Sequence, residues 1–90
     1  MVQYEIKVIG RVQGVGFRYY VKKQAEIFQL TGWVRNSADG SVVVMVQGEK
    51  AVIDTFTDYL RIGPTMARVI NLVTTPVNFS ELFTDFRIKY

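Results

Sequence analysis

The chain has 90 residues, enough for one small hydrophobic core and a single domain over 1–90. It contains no cysteine and no histidine, which excludes disulfides, thiolate nucleophiles, Cys- or His-based zinc sites and imidazole general bases. The net charge of +3 belongs to residues 1–48, with six basic and three acidic side chains, whereas residues 49–90 hold five of each sign; a small anionic ligand or a merely solvated basic face fits that imbalance.

Residues 4–9 alternate, with Tyr4, Ile6 and Val8 against Glu5 and Lys7, and predict a half-buried strand. It runs into Gly10-Arg11-Val12-Gln13-Gly14-Val15-Gly16-Phe17-Arg18, where three glycines fall within seven residues. Glycine permits left-handed backbone, so successive N–H groups can converge on one concavity. At a helix N-terminus such a nest holds anions through open amides and the positive dipole end. The helix that follows has Phe17, Val21, Ala25 and Phe28 on one side and Lys22, Lys23 and Glu26 on the other. It begins without a Ser, Thr, Asp or Asn cap, which leaves amides open. On these nine residues alone an anion nest and an ordinary glycine turn are both consistent. Nucleotide motifs are absent: no Gly-Lys-Ser/Thr occurs, and Gly14-x-Gly16 is followed by Tyr19 where a dinucleotide fingerprint needs glycine.

Leu30–Asn36 reads as a second strand, and Asn36-Ser37-Ala38-Asp39-Gly40 as a turn into a third over Ser41–Gln47. In that third strand Val42, Val44 and Val46 share one face, and Val43 and Met45 the other. A second helix is expected over 49–62, with Glu49 in its first turn and Val52, Phe56 and Tyr59 or Leu60 inward. Arg61 suits its last turn, and Gly63-Pro64 stops it. Ala67–Thr75 is a fourth strand and Phe86–Tyr90 a short fifth. Between them, Phe79, Leu82 and Phe83 make residues 76–85 too apolar for a free tail. The order predicts an α+β, ferredoxin-like βαββαβ sandwich: two helices on one face of a four- to five-stranded antiparallel sheet. The first and second strands are then parallel with the third between them, the second and fourth are edges, and Asn36 comes to the same sheet end as the glycine loop and Arg18. Trp33, Tyr4, Phe17 and Phe28 are expected in the core.

These residues resemble the acylphosphatase family. Val8 to Arg18 is similar to its first motif at every constrained position. Gly32-Trp33-Val34-Arg35-Asn36, with Gly40, Val42 and Gly48 following, is similar to its second. Gly63-Pro64, Ala67-x-Val69 and Phe86-x-Ile88-x-Tyr90 extend the resemblance over nearly the whole chain, residues 76–85 excepted. The resemblance implies metal-independent hydrolysis of the carboxyl–phosphate bond of small acyl phosphates, with no cofactor and no metal site. It implies that Arg18 and the amides of Gln13, Gly14, Val15, Gly16, Phe17 and Arg18 hold the phosphoryl group. Asn36 would position the attacking water and Ser37 would assist the local water network. Inorganic phosphate would be product and competitive inhibitor, and the protein a cytoplasmic monomer without nucleic-acid or membrane partners.

The chemistry of the residues fits those roles. A carboxylate of pKa about 4 leaves without a general acid, which suits a chain without histidine; an alkoxide would not. A strand-end Asn before a turn is ordinarily structural, but an Arg in a first helical turn opposes the dipole and makes better sense as an anion clamp. Arg11, Lys22 and Lys23 read as general positive field, and Tyr19 and Tyr20 as packing or as the wall of an acyl pocket. An RNA-recognition module shares the element order, but the third strand carries no stacking aromatic. A metallochaperone of this fold needs cysteines. A phosphate-ligand sensor without turnover, and the leading domain of a larger hydrogenase-maturation protein, are the remaining alternatives; a stand-alone enzyme is expected.

Overall fold

The computed structural model describes every residue except Phe79. The order is β1 (Val2–Arg11), α1 (Phe17–Ile27), β2 (Thr31–Asn36), β3 (Val42–Gly48), α2 (Lys50–Ile62), β4 (Arg68–Pro76) and β5 (Phe86–Lys89). The strands form one sheet in the order β4-β1-β3-β2-β5. β3 runs antiparallel to both β1 and β2, so β1 and β2 are parallel with β3 between them, as expected. The fold is the ferredoxin-like α+β arrangement, with a mixed sheet: β5 joins β2 in parallel register, Gly32 opposite Phe86 and Val34 opposite Ile88. β2 is therefore not an edge. Four residues of β5, anchored where the Gly32 N–H donates to the Asp85 carbonyl (2.8 Å), take that place.

One core joins the sheet to both helices. Ile6 and Val8 of β1, Val34 of β2, and Val42, Val44 and Val46 of β3 are fully buried against Phe17, Val21 and Ala25 of α1 and Ile53, Phe56 and Leu60 of α2. Of the alternatives for α2, Leu60 faces inward and Tyr59 is 42% exposed. Ile53, not Val52, is the buried residue of its first turn. Glu49 is the residue before that turn and makes no side-chain cap bond. Phe28 and Tyr4 pack on the core only partly, and Phe28 lies against Tyr59 with ring centroids 5.5 Å apart. Trp33 is outside the core. It alternates with buried Val34, so its ring lies on the other sheet face between cations, with Lys89 Nζ 4.5 Å and Arg35 Cζ 5.6 Å from its centroid.

The connection between β4 and β5 is tied down from β3. Gln47, 1% exposed, donates from Nε2 to the Glu81 carbonyl (2.7 Å) and to Gln3 Oε1 (2.8 Å). Its Oε1 accepts from the Phe83 N–H (2.9 Å). Phe83 is half-buried as a result, and Leu82 is 64% exposed; Phe79 lies outside the described residues. Among the described residues no helix is long and apolar enough to cross a membrane.

Candidate active site

The segment from Val12 to Gly16 joins β1 to α1 at the end of the sheet where β2 also ends. Gly14 (φ 73°) and Gly16 (φ 78°) are both left-handed, and a Cβ on either would meet nothing within 4 Å. Backbone conformation, not crowding, requires glycine here. Gly10 differs, because its Cβ would run into the Arg68 carbonyl of β4. Gly16 is the N-cap of α1 and offers no side chain, and the first turn has no acidic residue. Among the described residues, no hydrogen bond uses the N–H of any residue from 13 to 18 as donor. Six backbone donors thus stand unspent around the positive end of α1.

A cavity of about 210 Å³ lies beside this loop, lined by Gly14, Gly16, Phe17 and Arg18 from the loop and helix start, and by Asn36 from the end of β2. Val12, Tyr19, Ile88 and Tyr90 complete its wall. Arg18 stacks on the Tyr90 ring, Cζ 4.8 Å from the centroid, and among the described residues it makes no ion pair. A guanidinium held by its face keeps its N–H edge for an anion. Asn36 Oδ1 is buried and accepts no hydrogen bond among the described residues. An asparagine whose task is to close a turn spends that oxygen on a nearby backbone N–H; this one does not.

Among the described residues no Asp or Glu side chain lines the cavity. Asp39, three residues beyond Asn36, is engaged with Lys7 Nζ (2.7 Å) and with the backbone N–H and hydroxyl of Ser41. The bond from Lys7, then those from Ser41, hold its carboxyl well below the usual aspartate range. A larger hollow of about 490 Å³ lies between Met1–Tyr4 and Pro76–Asn78. None of the described residues lining it has a charged side chain, so size does not mark the candidate site.

Of the residues singled out in the sequence, Gly14, Gly16, Phe17, Arg18 and Asn36 meet at one cavity; Gln13 and Val15 are in the same loop but off its wall. The Phe17 side chain is 1% exposed and fills the core, so its offer to a ligand is backbone. Val15 packs partly on the core. The Gln13 side chain turns to the β2–β3 turn, and Nε2 donates to the carbonyls of Ser37 (2.8 Å) and Ser41 (2.9 Å). The backbone of Ser37 is spent within that turn, its N–H on Ser41 and its carbonyl on Gln13 and Gly40. Tyr20 is packing: its hydroxyl donates to the Tyr59 carbonyl (2.9 Å), and burial, with Tyr59 beside it, raises its pKa. Tyr19 is 67% exposed at the cavity mouth. Lys22 pairs with Glu26 (2.8 Å) one helical turn away and, like Arg11 and Lys23, is not on the wall. Ile88 and Tyr90 were missed as site residues. The parallel pairing of β5 with β2 brings them there, and sequence alone carries no signal for that pairing.

Comparison with known proteins gives one consistent result. Residues 4–88 match the family model described as acylphosphatase. An acylphosphatase of Geobacillus kaustophilus is 41% identical over 90 residues, covering all of this chain and 96% of the relative. The crystal structure of acylphosphatase from Bacillus subtilis superposes with a TM-score of 0.96 at 38% identity, each chain fully covered. The same fold occurs within a larger protein: HypF of T. kodakarensis matches all of this chain with 12% of its own length, at 31% identity and a TM-score of 0.89. With a family model spanning nearly the whole chain, full-length relatives at about 40% identity, and the glycine loop, Arg18 and Asn36 gathered at one cavity, the chain belongs to the acylphosphatase family.

Proposed function

We propose that this protein hydrolyses the carboxyl–phosphate bond of small acyl phosphates, by in-line attack of water on phosphorus and without metal or cofactor. The observation that supports the reading is the set of unspent groups gathered around one cavity: the loop amides, with Gly14, Gly16, Phe17 and Arg18 on its wall, the free edge of Arg18, and Asn36 with its unpartnered buried oxygen. Phosphoryl transfer asks mainly for positioning and charge stabilisation. The loop amides and Arg18 hold the three phosphoryl oxygens and the charge that grows on them. Rotation about the last side-chain torsion, which is soft for an amide, lets the Asn36 oxygen accept from the attacking water. The new bond forms between water oxygen and phosphorus, and the bond to the carboxyl oxygen breaks with its electron pair. The carboxylate departs unprotonated. With no Asp or Glu side chain on the wall among the described residues, the water's protons pass to phosphate oxygens and solvent.

The product, inorganic phosphate, fits the same nest and competes with substrate. One chain contributes all the groups named, so the reaction needs no group from a second copy. Release of phosphate from acetyl phosphate, measured with and without a strong chelator and with an alkyl phosphate as control, tests the reading. Turnover of the acyl phosphate alone, unaffected by chelator and inhibited competitively by phosphate, is expected. Loss of activity on chelation, restored by a divalent cation, contradicts metal independence.

A further inference from the structure

We propose that the Gln13 side chain is a positioning residue for Asn36: it locks the end of β2 to the phosphate loop and so sets where the attacking water stands relative to phosphorus. The inference rests on the reading of Asn36 given above. Besides its backbone amide, Gln13 brings a carboxamide that reaches away from the loop. One nitrogen bridges 24 and 28 residues of chain to the carbonyls of Ser37 (2.8 Å) and Ser41 (2.9 Å). Those two residues are the neck of the turn, joined to each other where the Ser37 N–H donates to the Ser41 carbonyl (2.9 Å). Asn36 is the residue before that neck and the last paired residue of β2, opposite Val42.

The two halves of the site stand on different elements. Arg18 and the amides belong to the β1–α1 loop, and Asn36 belongs to the β2–β3 hairpin. Val12 and Phe17 anchor the loop in the core on either side of Gln13, and Val34 and Val42 do the same for the hairpin. Between them, at the mouth of the site, the direct polar tie from loop to hairpin among the described residues is the Gln13 carboxamide. A misplacement of the nucleophile by a fraction of an ångström costs turnover without costing phosphate affinity. Gln13 therefore acts on kcat through Asn36 and leaves the anion nest alone.

Gln13→Met keeps the length of the side chain and removes both bonds. It is expected to lower kcat for acetyl phosphate about tenfold while the inhibition constant of inorganic phosphate moves by less than about threefold. The decisive readout is a double-mutant cycle. In an Asn36→Ala background the water is no longer held, and adding Gln13→Met is expected to cost less than about twofold more. Gln13→Glu, equal in shape and unable to donate when ionised, repeats the loss and serves if Gln13→Met does not fold. A kcat within about twofold of native in a folded Gln13 variant overturns the inference, and so does a full tenfold loss that persists in the Asn36→Ala background. Phosphate affinity falling in step with kcat also overturns it, since Gln13 would then serve the nest. If Asn36→Ala itself keeps native turnover, the reading of Asn36 fails and this inference with it; an impaired Asn36→Ala beside a native Gln13→Met sinks this inference alone.

Discussion

Two connections in this molecule are each pinned by one glutamine, and they end in opposite states. The segment between β4 and β5 receives both ends of Gln47: its nitrogen meets the Glu81 carbonyl and its oxygen the Phe83 N–H, inside the protein. The segment between β1 and α1 sends Gln13 outward to the hairpin and keeps its own N–H groups unspent, with two left-handed glycines in open space and an uncapped helix behind them. Buried or half-buried polar groups are normally paired. Where a loop's donors are satisfied internally it serves structure, and where they are left unsatisfied around a cavity beside an arginine it is a candidate site. Asn36, a wall residue of that cavity whose oxygen is buried without a partner among the described residues, belongs with the second kind.

The contrast breaks hardest at Arg18. Arg18→Ala or Arg18→Lys removes the planar fork and is expected to lower turnover on the order of 1,000-fold, with inorganic phosphate binding much more weakly. Steady-state kinetics with phosphate as competitor reads both effects, and near-native values would end the anion-site account. Asn36→Ala comes next, expected to cost about 100-fold in kcat with phosphate affinity and melting temperature largely kept. If phosphate binding and stability fell instead, Asn36 would be the hinge of the turn and nothing more.

Gln47→Ala gives the opposite signature on the structural loop. It strands the Phe83 N–H and the Glu81 carbonyl and is expected to cost about 2 kcal/mol of stability, a drop in Tm on the order of 10 °C. Turnover per folded molecule stays native, and thermal melts beside kinetics below the transition separate the two. The smallest effect belongs to the Lys7–Asp39 pair at the hairpin. Its bonds to Lys7 and Ser41 hold Asp39 below its unfolded pKa, so their stabilisation is complete above an unfolded aspartate value of about 3.9 and is lost as pH falls towards the depressed folded value. Both side chains are substantially exposed, so the effect is slight. Asp39→Asn should therefore narrow the stability difference between neutral and acid pH; an identical pH–stability profile in the variant would show the pair to be inert.

Much of the site was legible in the chain itself. The three glycines ahead of an uncapped amphipathic helix, and an asparagine at the end of a parallel strand, are local patterns, and the strand order carries them to one end of the sheet. What could not be read depends on contacts between distant segments. The four residues of β5 are too short to declare a partner, yet their pairing removes β2 from the edge and brings Ile88 and Tyr90 to the cavity. Trp33 is apolar enough to pass for core, but strand alternation with Val34 turns it to the other face, where Arg35 and Lys89 cover it. Gln47, the last residue of the expected third strand, is a fully buried tie whose partners lie 34 and 36 residues away. At the start of α2 the buried residue is Ile53 and not Val52, since both are aliphatic and only packing into the core chooses, whereas Phe56 and Leu60 are buried as expected.

The central claim is that this site grips phosphorus and delivers water to it. Hydrolysis of an acyl phosphate in isotopically labelled water, with both products analysed by mass spectrometry, tests that claim most directly. Attack on phosphorus held by Arg18 and the loop amides puts the label in inorganic phosphate and leaves the carboxylate unlabelled. Label in the carboxylate would mean attack at the acyl carbon, and would contradict the account, because Arg18 and the loop amides are assigned to phosphoryl oxygens, Asn36 to the water, and no group to a carbonyl.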